Sequence, residues 1–324
     1  MTNWIWTALA AVLLAGCGGG TGGGNGGGSG GSGGTGGSGG GFGRGWVAVD
    51  SGTTQTLTGV WGSGPNDVWV AGEGGTILHW NGTAWSNVPS GTTGSVGRLW
   101  GSGPNDVWAV GGQTTILHWN GTTWASVTSP VAYPSAVWGS GPNNVWISSG
   151  ATKDMAFWNG TTWAKVMLDG SLGLGNAVVS SVWGSGPNDV WIVGDILIQR
   201  WNGTAWTAVP VPTTGRTFSK FQKVWGSGPN DVWAVGYDGL ILRWNGTTWA
   251  SVPSTSEMPT LFGAWGSAPN TVWAVGSNGT TLQWNGTTWS KGTSGTTQQL
   301  YDVWGSGPND IWVVGAGGVI LHGP

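Results

Sequence analysis

The chain has 324 residues, of which 67 are glycine and 29 are tryptophan, whereas Asp, Glu, Lys and Arg together make up only 7%. The formal net charge is −3, and the ten Lys and Arg residues are scattered along the whole length. Because no basic stripe is present to displace counterions from phosphates, nucleic acid is excluded as a partner. The single cysteine, Cys17, excludes an intrachain disulfide in any compartment.

Residues 1–17 have the pattern of a bacterial secretion signal. The apolar run over residues 5–15 is too short to span a bilayer and has the length of a signal-peptide core. The segment Leu14-Ala15-Gly16-Cys17 resembles a lipobox. This resemblance implies cleavage before Cys17, a diacylglycerol on its thiol and, with Gly18-Gly19 next, sorting to the outer membrane. We therefore expect a lipoprotein of the bacterial cell envelope, held to the membrane by its lipid anchor and facing the periplasm or the cell surface.

Residues 18–45 form a linker in which glycine occupies twenty of twenty-eight positions. Such a segment has almost no side chains with which to bury a core. A flexible chain of this length has a mean end-to-end span of roughly 30 Å. The sequence therefore predicts a tether that holds residues 46–324 away from a lipid surface.

Residues 46–324 contain seven copies of the hexapeptide Trp-Gly-Ser-Gly-Pro-Asn or a one-residue variant of it. The copies begin at Trp61, Trp100, Trp138, Trp183, Trp225, Trp265 and Trp304. Their starts are 38 to 45 residues apart, a period typical of four-stranded propeller blades. The sequence therefore predicts an all-β chain folded as a seven-bladed β-propeller.

Residues 57–89 illustrate the predicted four-stranded antiparallel blade. Short β-rich runs cover residues 57–62, 67–71, 76–80 and 84–88, and turn-forming sequences separate them. Ser63-Gly64-Pro65-Asn66 has the composition of a tight turn, and Asn81-Gly82 favours a hairpin with a positive φ. We expect Trp80 and Trp85 to contact each other across that outer hairpin.

The last repeat lacks its fourth strand, because the sequence stops soon after Leu321-His322. The missing piece is found at the other end of the repeat region. Residues 45–54 match the segment that carries and follows the closing Trp of other blades, such as residues 84–93. We therefore expect the N-terminal strand to complete blade seven, which closes the ring and removes exposed strand edges.

The blade pattern resembles two known repeat groups. It is carried by Trp108-Ala109-Val110-Gly111, then Ile116-Leu117, then Asn120-Gly121-Thr122-Thr123-Trp124. One group is the sialidase-type repeat propellers, including the photosystem II assembly factor family. The other is the tectonin repeat, whose members are often lectins. The first resemblance implies a protein scaffold, and the second implies glycan binding.

Three sets of polar residues recur at fixed positions, and we expect each to be structural. The Asp of Gly-Pro-Asn-Asp is replaced by Asn144 and Thr271 in two blades, which suits a side chain that caps turn N–H groups. The Asn-Gly-Thr triplets suit hairpin turns. His79, His118 and His322 occupy third-strand positions roughly 15 Å apart, too far to share a metal, so we expect solvated side chains. The recurring Asp stands at Asp67, Asp106, Asp189, Asp231 and Asp310.

The sequence shows no catalytic constellation. A sialidase would need three converging arginines, a tyrosine nucleophile and a carboxylic acid. Arg44, however, lies in the linker, and Arg200 and Arg243 lie on third strands far from the channel. No nucleophile, base and orienting acid stand at a recognisable spacing. We therefore expect a protein that is not an enzyme and that carries neither a cofactor nor a metal.

Sequence variation is concentrated on one face of the predicted disc. The loops between second and third strands and the connections between blades share this face, which we name the variable face. The longest connections cover residues 167–180 and 209–223. Candidate ligand-binding residues on this face, or on inner strands beside it, are Glu73, Arg98, Lys153, Asp154, Asp195, Lys223, Tyr237, Asp238, Asn278, Tyr301 and Asp302.

These observations favour a binding function on the variable face, with a glycan or an envelope protein as the partner of a monomeric chain. Glycan recognition predicts several equal sites built on exposed Trp faces, and near-identical repeats suit multivalent weak binding. A protein scaffold or assembly factor of the envelope is the alternative, and it predicts one asymmetric site. A glycoside-active enzyme is the least favoured hypothesis.

Overall fold

The computed structural model describes residues 45–168, 178–195, 197–212 and 220–323. Cys17, the predicted signal segment and all of the linker except Gly45 lie outside the described residues, as do parts of the two longest connections. The described chain is all-β with a few single-turn 3-10 segments, and its strands form seven four-stranded antiparallel sheets. The predicted seven-bladed propeller is therefore confirmed. No helix in these ranges is long and apolar enough to cross a membrane.

The four strands of each blade follow one another from the channel outward. Blade one comprises β2 (Leu57–Gly64), β3 (Asp67–Gly72), β4 (Ile77–Trp80) and β5 (Trp85–Asn87). Blade two comprises β6 (Arg98–Gly103), β7 (Asp106–Gly111), β8 (Thr115–Trp119) and β9 (Trp124–Ser126). Blade three comprises β10 (Pro134–Gly141), β11 (Asn144–Ser149), β12 (Asp154–Trp158) and β13 (Trp163–Met167). Blades four and five comprise β14 (Val179–Gly186), β15 (Asp189–Gly194), β16 (Leu197–Trp201) and β17 (Trp206–Ala208); and β18 (Phe221–Gly228), β19 (Asp231–Gly236), β20 (Ile241–Trp244) and β21 (Trp249–Ser251). Blades six and seven comprise β22 (Leu261–Ala268), β23 (Thr271–Gly276), β24 (Thr281–Trp284) and β25 (Trp289–Lys291); and β26 (Leu300–Gly307), β27 (Asp310–Gly315), β28 (Ile320–Gly323) and β1 (Val47–Val49).

The N-terminal strand closes the ring as the sequence predicts. β1 pairs with β28 in an antiparallel register that places Val47 opposite His322 and Val49 opposite Ile320. Trp46, just before β1, packs edge-to-face against Trp273 of blade six at 5.2 Å between ring centroids. A strand from one end of the chain thus completes both blade seven and its interface with blade six.

The first strand of a blade is longer than the sequence predicts. In blade one the ladder continues past Gly62 through a bulge to pair Gly64 with Asp67, so the turn shrinks to Pro65-Asn66. The outer hairpin forms as predicted, because Gly82 has a φ of 93° and the Asn81 side chain accepts hydrogen bonds from the N–H groups of residues 83 and 84. Trp80 and Trp85 contact each other across this hairpin at 5.8 Å.

The Trp-Gly dipeptide at the start of each repeat interlocks neighbouring blades around the channel. One tryptophan from every first strand lines the channel. Its indole ring lies over the glycine that follows the equivalent tryptophan of the next blade, as Trp61 does over Gly101 and Trp304 over Gly62. A Cβ on any of these seven glycines would come within 2.5–2.7 Å of that ring. The seven contacts form a closed circle that only glycine permits.

A second set of tryptophans fills the space between blades. The seven members on the second strands are Trp69, Trp108, Trp146, Trp191, Trp233, Trp273 and Trp312, all at most 4% exposed. Trp69, for example, meets Trp119 at 4.9 Å and Trp124 edge-to-face at 5.4 Å, both in blade two. Burying one such ring contributes about 5 kcal/mol, at roughly 25 cal/mol per Å² over about 200 Å². The hydrophobic core is therefore a series of seven clusters between neighbouring blades.

The Trp-Gly interlock predicts that Gly139→Ala destabilises the propeller. The new methyl group would lie 2.5 Å from the Trp100 ring and 2.6 Å from the carbonyl oxygen of Asn144. Such overpacking lowers the free energy of unfolding by about 1–3 kcal/mol. The measurement is the denaturation midpoint in guanidinium chloride, followed by Trp fluorescence.

Gly141→Ala is the matched control, because it lies two residues further along the same strand and its new methyl group would have no atom within 4 Å. Its effect should stay within about 0.5 kcal/mol. Equal midpoints for the two variants would contradict the interlock.

Candidate binding face and central channel

The candidate residues of the second-to-third-strand loops occupy equivalent corners of three blades. Glu73, Tyr237 and Asn278 each belong to a 3-10 turn that follows the second strand. Asp238 and Asn278 adopt left-handed backbone conformations with φ of 53° and 55°. The Tyr237 side chain is 39% exposed. These residues therefore lie on the variable face, spread over blades one, five and six, and do not converge on one pocket.

Lys153, Asp154 and Asp195 lie apart from that set, in blades three and four. Asp154 begins the third strand and accepts a hydrogen bond from Lys165 at 2.8 Å. This hydrogen bond is the main reason that the pKa of Asp154 lies below the usual value for aspartate. Asp195 forms an isolated bridge with Lys220, and their side chains approach to 3.6 Å. Both carboxylates are thus engaged in local ion pairs near the surface.

Three candidate residues from distant blades do converge, inside the channel. Lys223 of blade five donates a hydrogen bond to Asp302 of blade seven at 2.8 Å. Arg98 of blade two approaches the other carboxylate oxygen of Asp302 at 4.0 Å and donates to the backbone carbonyl of Thr58. The Asp302 side chain is only 4% exposed, and its carboxylate also accepts from the N–H of Val60 at 3.4 Å. We call Arg98, Lys223 and Asp302 the channel triad.

The surroundings of the triad set its electrostatics. Loss of solvation in the channel lowers the pKa of Lys223, the carboxylate of Asp302 opposes this effect, and the positive charge of Arg98 adds to it. Two cations therefore share one carboxylate in a poorly solvated space. The arrangement has a local formal charge of +1.

The position of the triad residues on their strands and the small residues in neighbouring blades explain why the triad fits inside the channel. It occupies the position two residues before the channel tryptophan, where the seven blades carry Gly59, Arg98, Ala136, Ser181, Lys223, Gly263 and Asp302. A Cβ on Gly263 would lie 2.9 Å from the Cα of Asp302, and one on Gly59 would lie 3.1 Å from the Cα of Arg98. Small residues in these blades let the charged neighbours come close.

The channel contains a cavity of about 110 Å³. Its walls comprise the seven channel tryptophans, apolar side chains such as Leu99 and Val137, the channel triad and Ser181. Ser181 Oγ accepts a hydrogen bond from the N–H of Val224 at 3.2 Å, which orients its hydroxyl group. The triad thus supplies all three charged side chains of this cavity within the described chain.

Two aromatic rings, Tyr301 next to Asp302 and Phe262 next to Gly263, stand one position nearer the variable face. Tyr301 packs against Phe262 with ring centroids 5.4 Å apart. Partial burial raises the pKa of Tyr301, and the negative charge of Glu73 raises it further. Tyr301 is therefore a neutral phenol that can donate a hydrogen bond near Glu73.

Three residues of the variable face were not among the candidate ligand-binding residues predicted from the sequence. Tyr133 follows the second blade, has a φ of 49° and is 49% exposed, and its N–H bonds the carbonyl of Gln113 in the adjoining loop. Met258, in the connection after blade five, is 54% exposed. Phe262 is the third. Phe262 stands at the repeat position that Tyr301 occupies in blade seven and that carries Thr, Gly, Ser, Ser and Gln in the other five blades. An aromatic residue at this position is the signal that could have found it.

The recurring aspartates do not cap backbone N–H groups, which corrects the sequence-based prediction. Asp67 instead accepts hydrogen bonds from the Ser63 hydroxyl at 2.5 Å and from His79 Nε2 at 2.6 Å. The His79 ring also stacks on Trp69 at 4.1 Å. The histidines are therefore half-buried, ordered partners of an aspartate and a tryptophan, and the prediction of solvated side chains was wrong.

The partner of each aspartate explains where the aspartate is replaced. Arg200 and Arg243 take the place of histidine and bind Asp189 and Asp231 at 2.5 and 2.7 Å. The two blades that carry Asn144 and Thr271 have no base on the third strand, because Phe157 and Gln283 stand there. An unpaired carboxylate next to a buried tryptophan would be costly. Acid and base are thus kept or lost together.

We call the contacts of each recurring aspartate with its serine and its histidine or arginine, in five blades, the rim network. The rim network does not have the geometry of a hydrolase. In a catalytic triad the nucleophile hydroxyl contacts the histidine and the acid orients that histidine. Here the serine hydroxyl and the histidine both bind the aspartate. Among the described residues no three His, Cys, Asp or Glu side chains lie close enough together to hold a metal ion.

Tryptophan faces are not available as repeated sugar platforms on the variable face. The second-strand rings are buried, and the outer rings pack against them between blades. Three equivalent surface grooves do recur, in blades one, five and six. Their walls contain many glycine and hydroxyl residues, such as Ser90-Gly91-Thr92-Thr93, and no aromatic ring.

Comparisons with known proteins show the fold but no family. YCF48 from Cyanidioschyzon merolae has a TM-score of 0.70 at 19% identity, covering 86% of this chain and 98% of that one. A structure described as YCF48 bound to D1 peptide has a TM-score of 0.69 at 17% identity, covering 86% and 96%. Virginiamycin B lyase from Staphylococcus aureus has a TM-score of 0.75 at 14% identity, covering 86% and 98%. No protein-family model matches the chain, and no curated protein matches it in sequence.

These similarities support the resemblance to assembly-factor propellers at the level of fold. They do not test the tectonin resemblance, which stays a prediction. The same architecture occurs in an enzyme, so the fold by itself does not decide whether this chain is one.

The rim network predicts a loss of stability in acid. Burial acts to raise the pKa of Asp67 and Asp106, but hydrogen bonds from histidine and serine outweigh it and leave both pKa values lowered. A lowered aspartate pKa stabilises the fold above the unfolded-state value of about 3.9, and this contribution is lost as pH falls through the folded pKa. Unfolding midpoints should therefore decrease from about pH 5 to about pH 3.

The double variant Asp67→Asn/His79→Phe reproduces the blade-three pair Asn144 and Phe157, and it should show a smaller decrease over the same range. His79→Phe alone should be less stable than the double variant at pH 5, by about 0.5–1 kcal/mol, because it leaves Asp67 without its base. If the single and double variants have the same midpoint at pH 5, the aspartate and histidine are not coupled.

Proposed function

We propose that this chain is a non-enzymatic binding propeller that docks a segment of a partner protein on its variable face, over the mouth of the channel. The observation that supports this proposal is the channel triad. In a ring whose other features recur in most blades, Arg98, Lys223 and Asp302 break the symmetry at a single place. One asymmetric site suits one partner, whereas a repeated site suits a multivalent ligand.

The side chains around the mouth support docking of a protein segment. Tyr133, Tyr237 and Met258 are exposed on the variable face, and Tyr301 and Phe262 form an aromatic pair beside the triad. Aromatic residues and methionine are enriched in the central part of protein interfaces. A propeller of the same fold, YCF48, has been observed with a bound peptide.

A glycan ligand is the second candidate, favoured by the three equivalent grooves of blades one, five and six. Their hydroxyl groups could bond sugar hydroxyls, and their repetition suits a multivalent ligand. Sugar binding through ring stacking, however, finds no aromatic surface in these grooves. We therefore place protein docking first.

We also propose that the chain acts as a monomer in the bacterial cell envelope, tethered through Cys17 and the glycine-rich linker as an outer-membrane lipoprotein. The support is the sequence Leu14-Ala15-Gly16-Cys17 and the composition of residues 18–45. A tether of roughly 30 Å leaves the variable face free to meet another envelope protein.

The docking proposal predicts that linear peptides selected from a random display library on the full chain will compete for one site. Tyr237→Ala and Tyr301→Ala should each lower the affinity for the selected peptide about tenfold, as truncation of a tyrosine at the centre of an interface does. The measurement is fluorescence anisotropy of a labelled peptide.

Val47→Ala, on the outer strand of blade seven, is the control and should leave the affinity unchanged. A glycan array run on the same protein tests the second candidate. Binding of several equivalent saccharides per chain, with no peptide selected, would replace protein docking by glycan recognition.

The lipidation proposal predicts that a Gram-negative expression host labels the wild-type chain with an alkyne-tagged fatty acid and does not label Cys17→Ser. Because Cys17 is the single cysteine, no other thiol can carry the lipid. The measurement is in-gel fluorescence of membrane fractions after reaction with an azide dye. Absence of label on the wild-type chain, or equal label on both, would contradict a lipid anchor at this residue.

A further inference from the structure

The channel triad has more hydrogen-bond donors than its contacts use. Arg98 has five N–H groups and Lys223 has three. In the described chain Arg98 bonds the carbonyl of Thr58 and lies 4.0 Å from Asp302, while Lys223 bonds Asp302. Their side chains are 23% and 21% exposed, and both line the cavity.

Ser181 adds a neutral donor to the same cavity. Its oxygen accepts from the N–H of Val224, which leaves the hydroxyl hydrogen for another acceptor. Nothing else that is charged lines the cavity among the described residues, and the rest of the wall is tryptophan, valine, leucine and alanine. The cavity therefore combines three kinds of donor with an excess of one positive charge.

The local charge favours an added anion at this place. Loss of solvation and the positive charge of Arg98 lower the pKa of Lys223, and the carboxylate of Asp302 opposes this shift. A second carboxylate would pair the exposed donors and balance the local charge. Charge-assisted hydrogen bonds of this kind are roughly twice as strong as neutral ones.

The size of the cavity limits what can enter. Its volume of about 110 Å³ corresponds to several water molecules, at roughly 10–15 Å³ for each. A carboxylate at the end of a short chain fits such a space, whereas a folded segment does not. The variable face above it is where we propose that a protein segment docks.

We infer that the channel cavity is a carboxylate-binding pocket, in which Arg98, Lys223 and Ser181 hold one carboxylate group of the docked segment beside Asp302. This inference rests on the proposed docking function and specifies its chemistry. The carboxylate can come from a C-terminal chain end, from an acidic side chain or from a free small acid. All three sources share the same contacts.

The test titrates the full chain with four probes and monitors binding by tryptophan fluorescence and by ligand-observed NMR. The probes are propionate, N-acetyl-glycyl-glycyl-alanine, the C-terminal amide of that peptide, and N-acetyl-glycyl-glutamyl-glycine amide. The free acid should bind at least about tenfold more tightly than its amide, since the amide lacks the charge. The glutamyl peptide and propionate report on the other two sources.

Opposite changes at two residues make the pocket identifiable. Lys223→Gln should lower the affinity for the tightest-binding acid about tenfold. Asp302→Asn should raise that affinity about tenfold, because the probe then takes the place of the lost carboxylate. A merely structural role for the triad would weaken binding in both variants. Lys220→Gln is the matched control, because it removes a lysine three residues away that pairs with Asp195 at the surface.

Circular dichroism and the thermal midpoint establish that each variant is folded. If Lys223→Gln does not fold, Arg98→Gln replaces it and should also lower the affinity for the acid about tenfold. Equal binding of acid and amide, or weaker binding in Asp302→Asn, would overturn the carboxylate pocket. If peptides selected on the variable face bind Lys223→Gln as tightly as wild type, the pocket fails while docking stands. Propionate binding that depends on Lys223, with no peptide selected, would support the pocket and reject docking.

Discussion

The contact of each channel tryptophan with the glycine of the next blade is the constraint on which the ring depends. It fixes the distance between neighbouring first strands, because an indole ring lies where a side chain would otherwise be. It also fixes the number of blades through closure, since the ring of Trp304 must reach Gly62 for the circle to close. The strand that carries Trp46 then completes the outer part of the same closure. Inner and outer tryptophans thus act at opposite edges of one interface.

The outer part of each interface shows how a chain with so few charged residues uses them. Three histidines and two arginines lie over second-strand tryptophans and bind an aspartate at the same time. A cationic or planar group on an indole face adds attraction beyond buried area. The aspartate in turn fixes the orientation of that group. Blade three replaces the base by Phe157, which keeps the ring contact at 4.8 Å and needs no acid.

Most of the fold could be predicted from the sequence, because a repeat of about forty residues carries its turns, its hydrophobic pattern and its missing strand in plain view. The candidate site could be predicted only in part. Variation among repeats identified Arg98, Lys223 and Asp302, but not that they meet, because contacts across a channel join blades that are far apart in sequence. The role of Asp67 was wrong for a related reason. Its partners, Ser63 and His79, are set by the bulged ladder, which one sequence does not reveal.

Stability and the proposed recognition therefore depend on different residues of the same strands. In each first strand the Trp-Gly pair locks the blades, and the residue two positions earlier takes no part in that lock. In five of the blades this residue lines the channel cavity. This position can change from glycine to arginine to aspartate while the neighbouring Trp-Gly pair stays constant, provided that adjacent blades supply small residues. A repeat protein built in this way can gain an asymmetric polar centre without rebuilding its core, because the cost of burying charges is met locally by the pairing of Lys223 and Arg98 with Asp302. The symmetry of the ring supplies the scaffold, and the channel triad departs from that symmetry where we propose that a partner binds.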